Sequence, residues 1–148
     1  MKIIDLKLSI IVPVYNEKKT INKILNKIYD LKGIKKEIIV IDDASNDGTT
    51  KILKRNKKKI NKLILHKTNK GKGGAIKSAQ KFISGNVVII QDADLEYDPS
   101  DYMKLLKFII KGYKVVYGSR VLGKNRYQLN NFSSFMRIFY NHVLTVLS

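Results

Sequence analysis

The stretch VVIIQDADLEYDP, from Val87 to Pro99, decides the fold predicted for this chain. Its first four residues are apolar and β-branched, which is typical of a strand buried on both faces. Asp92 and Asp94 follow where a continuing strand would need apolar side chains. Two carboxylates at the end of a buried strand offer hard oxygen ligands, which suit Mg²⁺ or Mn²⁺. Acidic residues also end strands and begin turns, so the motif needs support from the rest of the chain.

The rest of the chain alternates short apolar runs with amphipathic ones, which predicts βαβ units and an α/β fold with a mainly parallel sheet. Further strands are predicted at residues 8–15, 37–41, 62–66 and 114–117. Helices are predicted at about 21–33, 49–59, 74–85 and 98–112, with a last amphipathic helix after residue 131. No repeat or linker interrupts this pattern, so residues 1–148 are predicted to form a single domain.

Composition excludes several classes of protein. With 44% hydrophobic and 28% charged residues, the chain is globular rather than disordered. The absence of cysteine excludes disulfides, thiolate metal sites and a cysteine nucleophile. No apolar run approaches the ~20 residues of a membrane helix, and we expect no signal peptide.

The chain is strongly basic, with 29 Lys and Arg against 12 Asp and Glu and a net charge of +17. The lysines are scattered, and no helix-turn-helix, zinc-finger or RNP pattern accompanies them, so no specific nucleic-acid partner is predicted. We attribute most of the charge to solvated faces. The remainder favours anionic partners, such as nucleotide sugars, lipid phosphates or membrane surfaces.

Groups suited to a charged ligand stand at the ends of four predicted strands. In chain order they are Pro13, Tyr15, Asn16 and Glu17; Asp42 and Asp43; Asp92 and Asp94; and Ser119 and Arg120. Ligands bind beyond the carboxyl ends of the strands in an open α/β sheet. We therefore expect these groups to form one site, an expectation that fails if Glu17, Asp43 and Asp94 face different sides of the molecule.

The residue types suit a nucleoside diphosphate. Glu17 and Asp43 can accept hydrogen bonds from ribose hydroxyls or base N–H groups, and Tyr15 can stack on a base. Asp92 and Asp94 can hold a divalent cation against a diphosphate, where the metal takes up charge on the leaving group. Taken singly, the acids after the first two strands are equally consistent with cap and turn residues.

The glycine-rich segment Gly71–Lys72–Gly73–Gly74 fits neither a Walker loop nor a dinucleotide fingerprint. It is predicted as a loop whose backbone N–H groups and Lys72 can approach a phosphate. The alternative is a tight entry into a helix. Arg120 can make planar, bidentate contact with phosphate.

The two histidines and the apolar residues near the C-terminus are most simply explained by structural roles. His66 and His142 have no histidine, cysteine or acid at ligand spacing, so both are expected to be structural. Apolar residues from 132 to 147 follow helical spacing, which predicts a helix that packs in the core or lies at a membrane interface. Arg137 can meet an anionic lipid head group there, or be solvated.

Five motifs together resemble those of family 2 glycosyltransferases of the GT-A fold, closest to the polyprenyl-phosphate branch with dolichyl-phosphate mannose and glucose synthases. They are SIIVPVYNE (Ser9 to Glu17), VIDDASNDGT (Val40 to Thr49), NKGKGGAIKSA (Asn69 to Ala79), QDADLEYDP (Gln91 to Pro99) and VVYGSR (Val115 to Arg120). This resemblance implies a Rossmann-like α/β/α sandwich with a mainly parallel central sheet.

The resemblance also implies roles for individual residues. Those implied to bind the nucleotide sugar are Pro13, Tyr15, Glu17, Ile41, Asp42, Asp43, Lys72, Asp92, Ala93 and Glu96, the last standing where relatives often carry glutamine. Those implied to act in catalysis are Asp92, Asp94 and Arg120, with the two aspartates holding Mg²⁺ or Mn²⁺. Arg120 and Arg137 are the implied contacts of the acceptor.

The implied reaction is inverting transfer of a mannose- or glucose-type sugar from a UDP- or GDP-sugar to a polyprenyl phosphate, at the cytoplasmic face of a membrane with which the protein associates peripherally. A phosphate acceptor is already ionised at neutral pH, whereas a hydroxyl acceptor needs a general base that these residues do not offer. Since relatives continue further, the chain is expected to lack their C-terminal acceptor-binding segment.

Three alternatives stay open at this stage. The first is a glycosyltransferase that acts on a saccharide hydroxyl. The second is a haloacid-dehalogenase-like phosphatase, whose nucleophile motif is also D-x-D but is expected on an early strand. The third is a non-catalytic basic module, either a truncated nucleotide-binding remnant or a nucleic-acid binder.

Overall fold

The computed structural model describes residues 5–118 and 144–146 of the chain. In this part, six strands form one sheet: β1 (Lys7–Val14), β2 (Lys35–Asp42), β3 (Lys62–Leu65), β4 (Val87–Ile90), β5 (Val115–Val116) and β6 (Leu144–Val146). The α-helices are α1 (Ile21–Asp30), α2 (Thr49–Arg55), α3 (Gly71–Ala79) and α4 (Tyr102–Ile110). None of these helices combines the length and apolar character needed to cross a bilayer.

The sheet has the order β3-β2-β1-β4-β6-β5. Strands β3, β2, β1 and β4 are parallel, and β6 runs antiparallel to both β4 and β5. This arrangement confirms the predicted α/β fold with a mainly parallel sheet. The chain winds outward from β1 to β2 and β3, and then returns to place β4 on the other side of β1. The crevice beyond β1 and β4 is therefore a topological switch point, where open α/β sheets bind their ligands.

Helices cover both faces of the sheet. Leu8, Ile10 and Val12 of β1 pack in a large core with residues of α1, α2 and α4, whereas Ile11 packs on the other face with Ala75 of α3. Each fully buried leucine or isoleucine contributes about 1.5–3 kcal/mol to stability. Because β1 is covered from both sides, its carboxyl end is a rigid support for the residues that follow it.

The structure corrects three predicted segments. The predicted helix 49–59 ends at Arg55, where the Asn56 N–H bonds to two helix carbonyls, and a separate 3-10 turn spans Lys57–Lys59. The glycine-rich segment is the first turn of α3 rather than a preceding loop. Residues 144–146 form a strand instead of the end of a helix, since they pair with the open edge of β4. The remainder of that predicted helix lies outside the described residues.

A buried polar cluster joins the amino-terminal ends of β1, β2 and β4. The Glu37 carboxylate accepts hydrogen bonds from Ser9 Oγ (2.5 Å), Ser84 N (2.7 Å) and Ser84 Oγ (2.5 Å). Lys7 Nζ lies 3.0 Å from Glu37 Oε2, and Gly85 N donates to Ser9 Oγ at 2.9 Å. Because these donors satisfy its oxygens, the buried Glu37 carboxylate can stay charged without the free-energy cost of an unpaired buried charge.

Acid should weaken the fold through Glu37. Burial raises the pKa of this carboxyl, but hydrogen bonds from Ser84, Ser9 and Lys7 outweigh burial and lower the pKa to about 2. Because the folded pKa lies below the unfolded one, the stabilisation is complete above about pH 4.5 and is lost as the pH falls toward 2. We expect the free energy of unfolding in urea to fall by about 2 kcal/mol more in wild type than in Glu37→Gln between pH 6 and pH 3. If the free energy of unfolding changed with pH equally in the two proteins, Glu37 would not be the source of the acid sensitivity.

Candidate active site

The strands β1, β2 and β4 end at one cleft with a volume of about 510 Å³. This size is within the usual range for small-molecule sites. The residues predicted for ligand binding that line the cleft are Pro13, Tyr15, Glu17, Asp43, Lys72, Asp92, Ala93 and Asp94. Glu17, Asp43 and Asp94 thus share one cleft, as the strand-end pattern predicts.

Asp42 has a structural role instead. Its side chain is buried, Oδ1 accepts from Ser45 N at 3.0 Å, and Oδ2 accepts from Thr50 Oγ1. These bonds hold the turn between β2 and α2. Of the two adjacent aspartates, the first is therefore the turn residue and only Asp43 lines the cleft.

Two other predicted residues, Ile41 and Glu96, do not line this cleft. Ile41 is fully buried in β2 beneath α3. Glu96 faces a neighbouring cavity, and its backbone N–H donates to Asp94 Oδ1 at 3.0 Å. Arg120 and Arg137 lie outside the described residues.

Hydrogen bonds tie the loop after β1 to the loop after β2. Asn16 N donates to Ser45 Oγ at 2.9 Å, and Asn46 N donates to Asn16 Oδ1 at 2.9 Å. Lys18 N donates to Asp47 Oδ2 at 3.0 Å. The two loops that carry Glu17 and Asp43 therefore form one connected wall of the cleft.

Each loop that follows β1, β2 or β4 contains one non-glycine residue with a left-handed backbone. These residues are Asn16 (φ 56°), Ala44 (φ 65°) and Leu95 (φ 68°). Asparagine tolerates this region, but alanine and leucine are strained in it by about 1 kcal/mol or more. Such strain is concentrated at functional sites, where a loop must turn sharply to orient a side chain.

Asp43 is the most enclosed acid of the cleft, with a side chain that is 4% exposed. Its Oδ1 lies 2.6 Å from His66 Nδ1 and accepts from Lys70 N at 2.9 Å, while Oδ2 accepts from Lys70 N at 3.1 Å. Burial raises the pKa of this carboxyl, but the hydrogen bonds from His66 and Lys70 outweigh burial and lower it. Asp43 is therefore an ionised acceptor.

The acid that contacts His66 is remote in the sequence, so ligand spacing along the chain did not reveal it. The sequence separates His66 from Asp43 by 23 residues, and the fold brings their side chains into contact. A signal for this contact was available, because His66 directly follows β3. The rule that strand ends carry polar site residues applies to β3 as well.

Asp92 and Asp94 lie on the loop after β4 and differ in their partners. Lys72 Nζ lies 2.6 Å from Asp92 Oδ1 and 2.9 Å from Oδ2, whereas Asp94 is exposed. No cluster of three or more His, Cys, Asp or Glu suited to a metal occurs among residues 5–118 and 144–146. The partly buried Asp92 and the exposed Asp94 fit Mg²⁺ or Mn²⁺, which are typically held by one or two protein carboxylates together with substrate phosphates and water.

Comparison with protein families gives one match across most of the chain. The model described as Glycosyl transferase family 2 matches residues 9–145. A dolichol-phosphate mannosyltransferase of Pyrococcus furiosus is 35% identical over 117 residues, which are 78% of this chain and 33% of the relative. An undecaprenyl-phosphate 4-deoxy-4-formamido-L-arabinose transferase of Edwardsiella ictaluri is 32% identical over 115 residues, 73% of this chain and 35% of the relative. This chain spans about a third of the length of these two relatives.

Solved structures give the same fold. The S. aureus TarS 1–349 complex with UDP-GlcNAc superposes with a TM-score of 0.66 and 30% identity, covering 82% of this chain and 37% of that one. Mannosyltransferase PcManGT from Pyrobaculum calidifontis, in complex with GDP-Man and Mn²⁺, superposes with a TM-score of 0.59 and 31% identity. It covers 66% of this chain and 30% of that one.

Proposed function

Because this chain belongs to glycosyl transferase family 2 and has the GT-A fold, we propose that it binds a UDP- or GDP-sugar with a divalent metal and transfers the sugar to a polyprenyl phosphate, with inversion. Family membership removes the haloacid-dehalogenase-like phosphatase as an alternative. The observation that carries the proposal is the convergence of Glu17, Asp43, Asp92 and Asp94 on one cleft.

The nucleoside would bind on the β1 and β2 side of the cleft. Tyr15 is 48% exposed, so its ring is available to stack on a base. Asp43 offers an ionised carboxylate, and Glu17 is held by a 2.5 Å hydrogen bond from Thr20 Oγ1. These groups suit the N–H and hydroxyl donors of a nucleoside.

The diphosphate would bind on the β4 side. Asp92 and Asp94 would hold Mg²⁺ or Mn²⁺, which supplies Lewis-acid stabilisation of the negative charge on a nucleoside diphosphate leaving group. Lys72 forms an ion pair with Asp92. Its ammonium is on the first turn of α3 and half-exposed, so it can turn from Asp92 toward a phosphate oxygen.

The acceptor class rests on two arguments. One relative is a dolichol-phosphate mannosyltransferase and another an undecaprenyl-phosphate transferase. In addition, a phosphate oxygen can attack the anomeric carbon without a general base. We propose that Arg120 and Arg137 contact the acceptor phosphate, and that the protein acts peripherally at the cytoplasmic face of a membrane.

Calorimetric titration with UDP and with GDP, each with Mn²⁺ and with EDTA, tests the donor site. We expect one nucleotide to bind at least tenfold more tightly with Mn²⁺, because Asp92 and Asp94 would hold the metal and its charge would favour binding of the diphosphate. Equal affinity in EDTA would contradict the metal assignment, and no binding of either nucleotide would overturn the proposed function. Incubation with a radiolabelled donor and polyprenyl phosphate then tests the acceptor, with an oligosaccharide as the alternative acceptor.

A further inference from the structure

We propose that His66 is a positioning residue for nucleotide recognition. It acts by fixing the orientation of the Asp43 carboxylate, which lines the cleft. This inference rests on the proposed function, since it assigns His66 to the nucleoside side of that same site. His66 itself does not line the cleft. Its effect on a ligand therefore has to pass through Asp43.

The backbone N–H and both ring nitrogens of His66 have hydrogen-bond partners, which together fix the ring. The backbone N–H donates to Asp42 O at 2.9 Å, which continues the pairing of β3 with β2 one residue beyond the strand. On the ring, Nδ1 lies 2.6 Å from Asp43 Oδ1 and Nε2 lies 2.9 Å from Ser78 Oγ of α3. The ring is 4% exposed, so neither bond competes with bulk water.

The direction of the bond to Asp43 follows from the chemistry of the partners. An ionised carboxylate only accepts hydrogen bonds, so Nδ1 carries the proton and donates. On the other side, Ser78 Oγ also lies 3.0 Å from Gly74 O, and a hydroxyl can accept from or donate to the second ring nitrogen. The bond from Nδ1 to Asp43 is thus kept whichever way the Ser78 hydroxyl points.

The bond from His66 reaches only one of the two oxygens of Asp43. Oδ1 accepts from both His66 and Lys70, whereas Oδ2 accepts from Lys70 N at the longer distance of 3.1 Å, and the Gly71 backbone N–H also bonds to this carboxylate. Fixing Oδ1 sets the plane of the carboxylate and hence the direction of Oδ2. The chain Ser78–His66–Asp43 has the order of a hydrolase triad, but here the acid lines the cleft and the serine does not.

Removal of the His66 donor should weaken nucleotide binding. Without it, the buried carboxylate loses its charge-assisted bond and a fixed orientation, which corresponds to a loss of about tenfold to a hundredfold in affinity. We expect this loss for His66→Ala in calorimetric titrations with UDP or GDP and Mn²⁺. His66→Asn, whose amide nitrogen takes the place of Nδ1, should bind within about threefold of wild type.

A double-mutant cycle tests whether His66 acts through Asp43. In an Asp43→Ala background, His66→Ala should change the nucleotide affinity by less than about twofold, because the first substitution already removes the carboxylate through which His66 acts. Independent, multiplying effects would overturn the inference. So would wild-type affinity in His66→Ala, or equal losses in the alanine and asparagine variants when circular dichroism shows both folded.

Two further outcomes can be interpreted: an unfolded His66→Ala variant, and a wild-type chain that binds no nucleotide. If His66→Ala does not fold, His66→Gln replaces it, since this side chain fills the space and places its amide at Nε2 rather than Nδ1. The glutamine variant should lose affinity, and its retention would overturn the inference. Failure of the wild-type chain to bind either nucleotide overturns the proposed function and this inference together, whereas the results above concern His66 alone.

Discussion

Asp94→Asn is expected to abolish metal-dependent binding of a nucleoside diphosphate while the fold survives. Asp94 is exposed, and the structure gives its side chain a bond from Glu96 N of the same loop, which an asparagine oxygen can also accept. The substitution therefore preserves the turn but removes one of the two anionic ligands that we propose for the metal. A loss of several kcal/mol in metal-assisted binding corresponds to a hundredfold or more in affinity.

Calorimetry with Mn²⁺ and the preferred nucleotide measures this loss, and thermal unfolding followed by circular dichroism checks the fold. Asp101→Asn is the matched control, because Asp101 is an exposed acid outside the cleft that pairs with Lys104. It undergoes the same change of charge and should bind the nucleotide as wild type does. Wild-type affinity and metal dependence in Asp94→Asn would show that the D-x-D pair does not hold the metal.

Gly85→Ala is expected to cause the largest loss of stability. A Cβ atom at Gly85 would overlap Lys7 O and would lie 2.6 Å from Ser9 Oγ and 2.9 Å from Ser9 N. The first and last of these are backbone atoms at the start of β1, so the junction of β1 and β4 has to shift. We expect a loss of roughly 3 kcal/mol or more in the free energy of unfolding, a large part of what a domain of this size has.

Urea unfolding measures this loss, and Gly73→Ala is its control. A Cβ atom at Gly73 meets nothing within 4 Å, and the residue lies inside α3. The same substitution there should stabilise the protein by about 0.5–1 kcal/mol, because alanine restricts the unfolded chain and favours the helix. A Gly85→Ala protein as stable as wild type would mean that β1 and β4 do not approach each other as closely as described.

The parts of the site that could be predicted are those that follow from local pattern and topology. Val87–Ile90 reads as a buried strand from its side chains alone, and the acids after it are next to it in sequence. Parallel strands end at the same edge, so Glu17, Asp43 and Asp94 could be placed together without coordinates. Each of these inferences needs only the strand positions and their direction.

The parts that could not be predicted depend on contacts between remote residues. Asp42 and Asp43 are identical side chains in adjacent positions, and only the partners Ser45 and Thr50 show that the first holds the turn. The pairing of His66 with Asp43 requires knowledge that β3 lies beside β2. Likewise, residues 144–146 form a strand because β4 offers them an edge, which no local periodicity reveals.

The left-handed backbones of Ala44 and Leu95 have a consequence for the evolution of this protein. Glycine would relieve the strain at both positions, and yet each residue stands next to an acid that lines the cleft. A laboratory selection for thermal stability alone would favour glycine at these two positions. Variants with glycine at these positions would gain stability but lose the fixed orientation of the adjacent carboxylates, so selection for the proposed ligand binding would restore the strained residues.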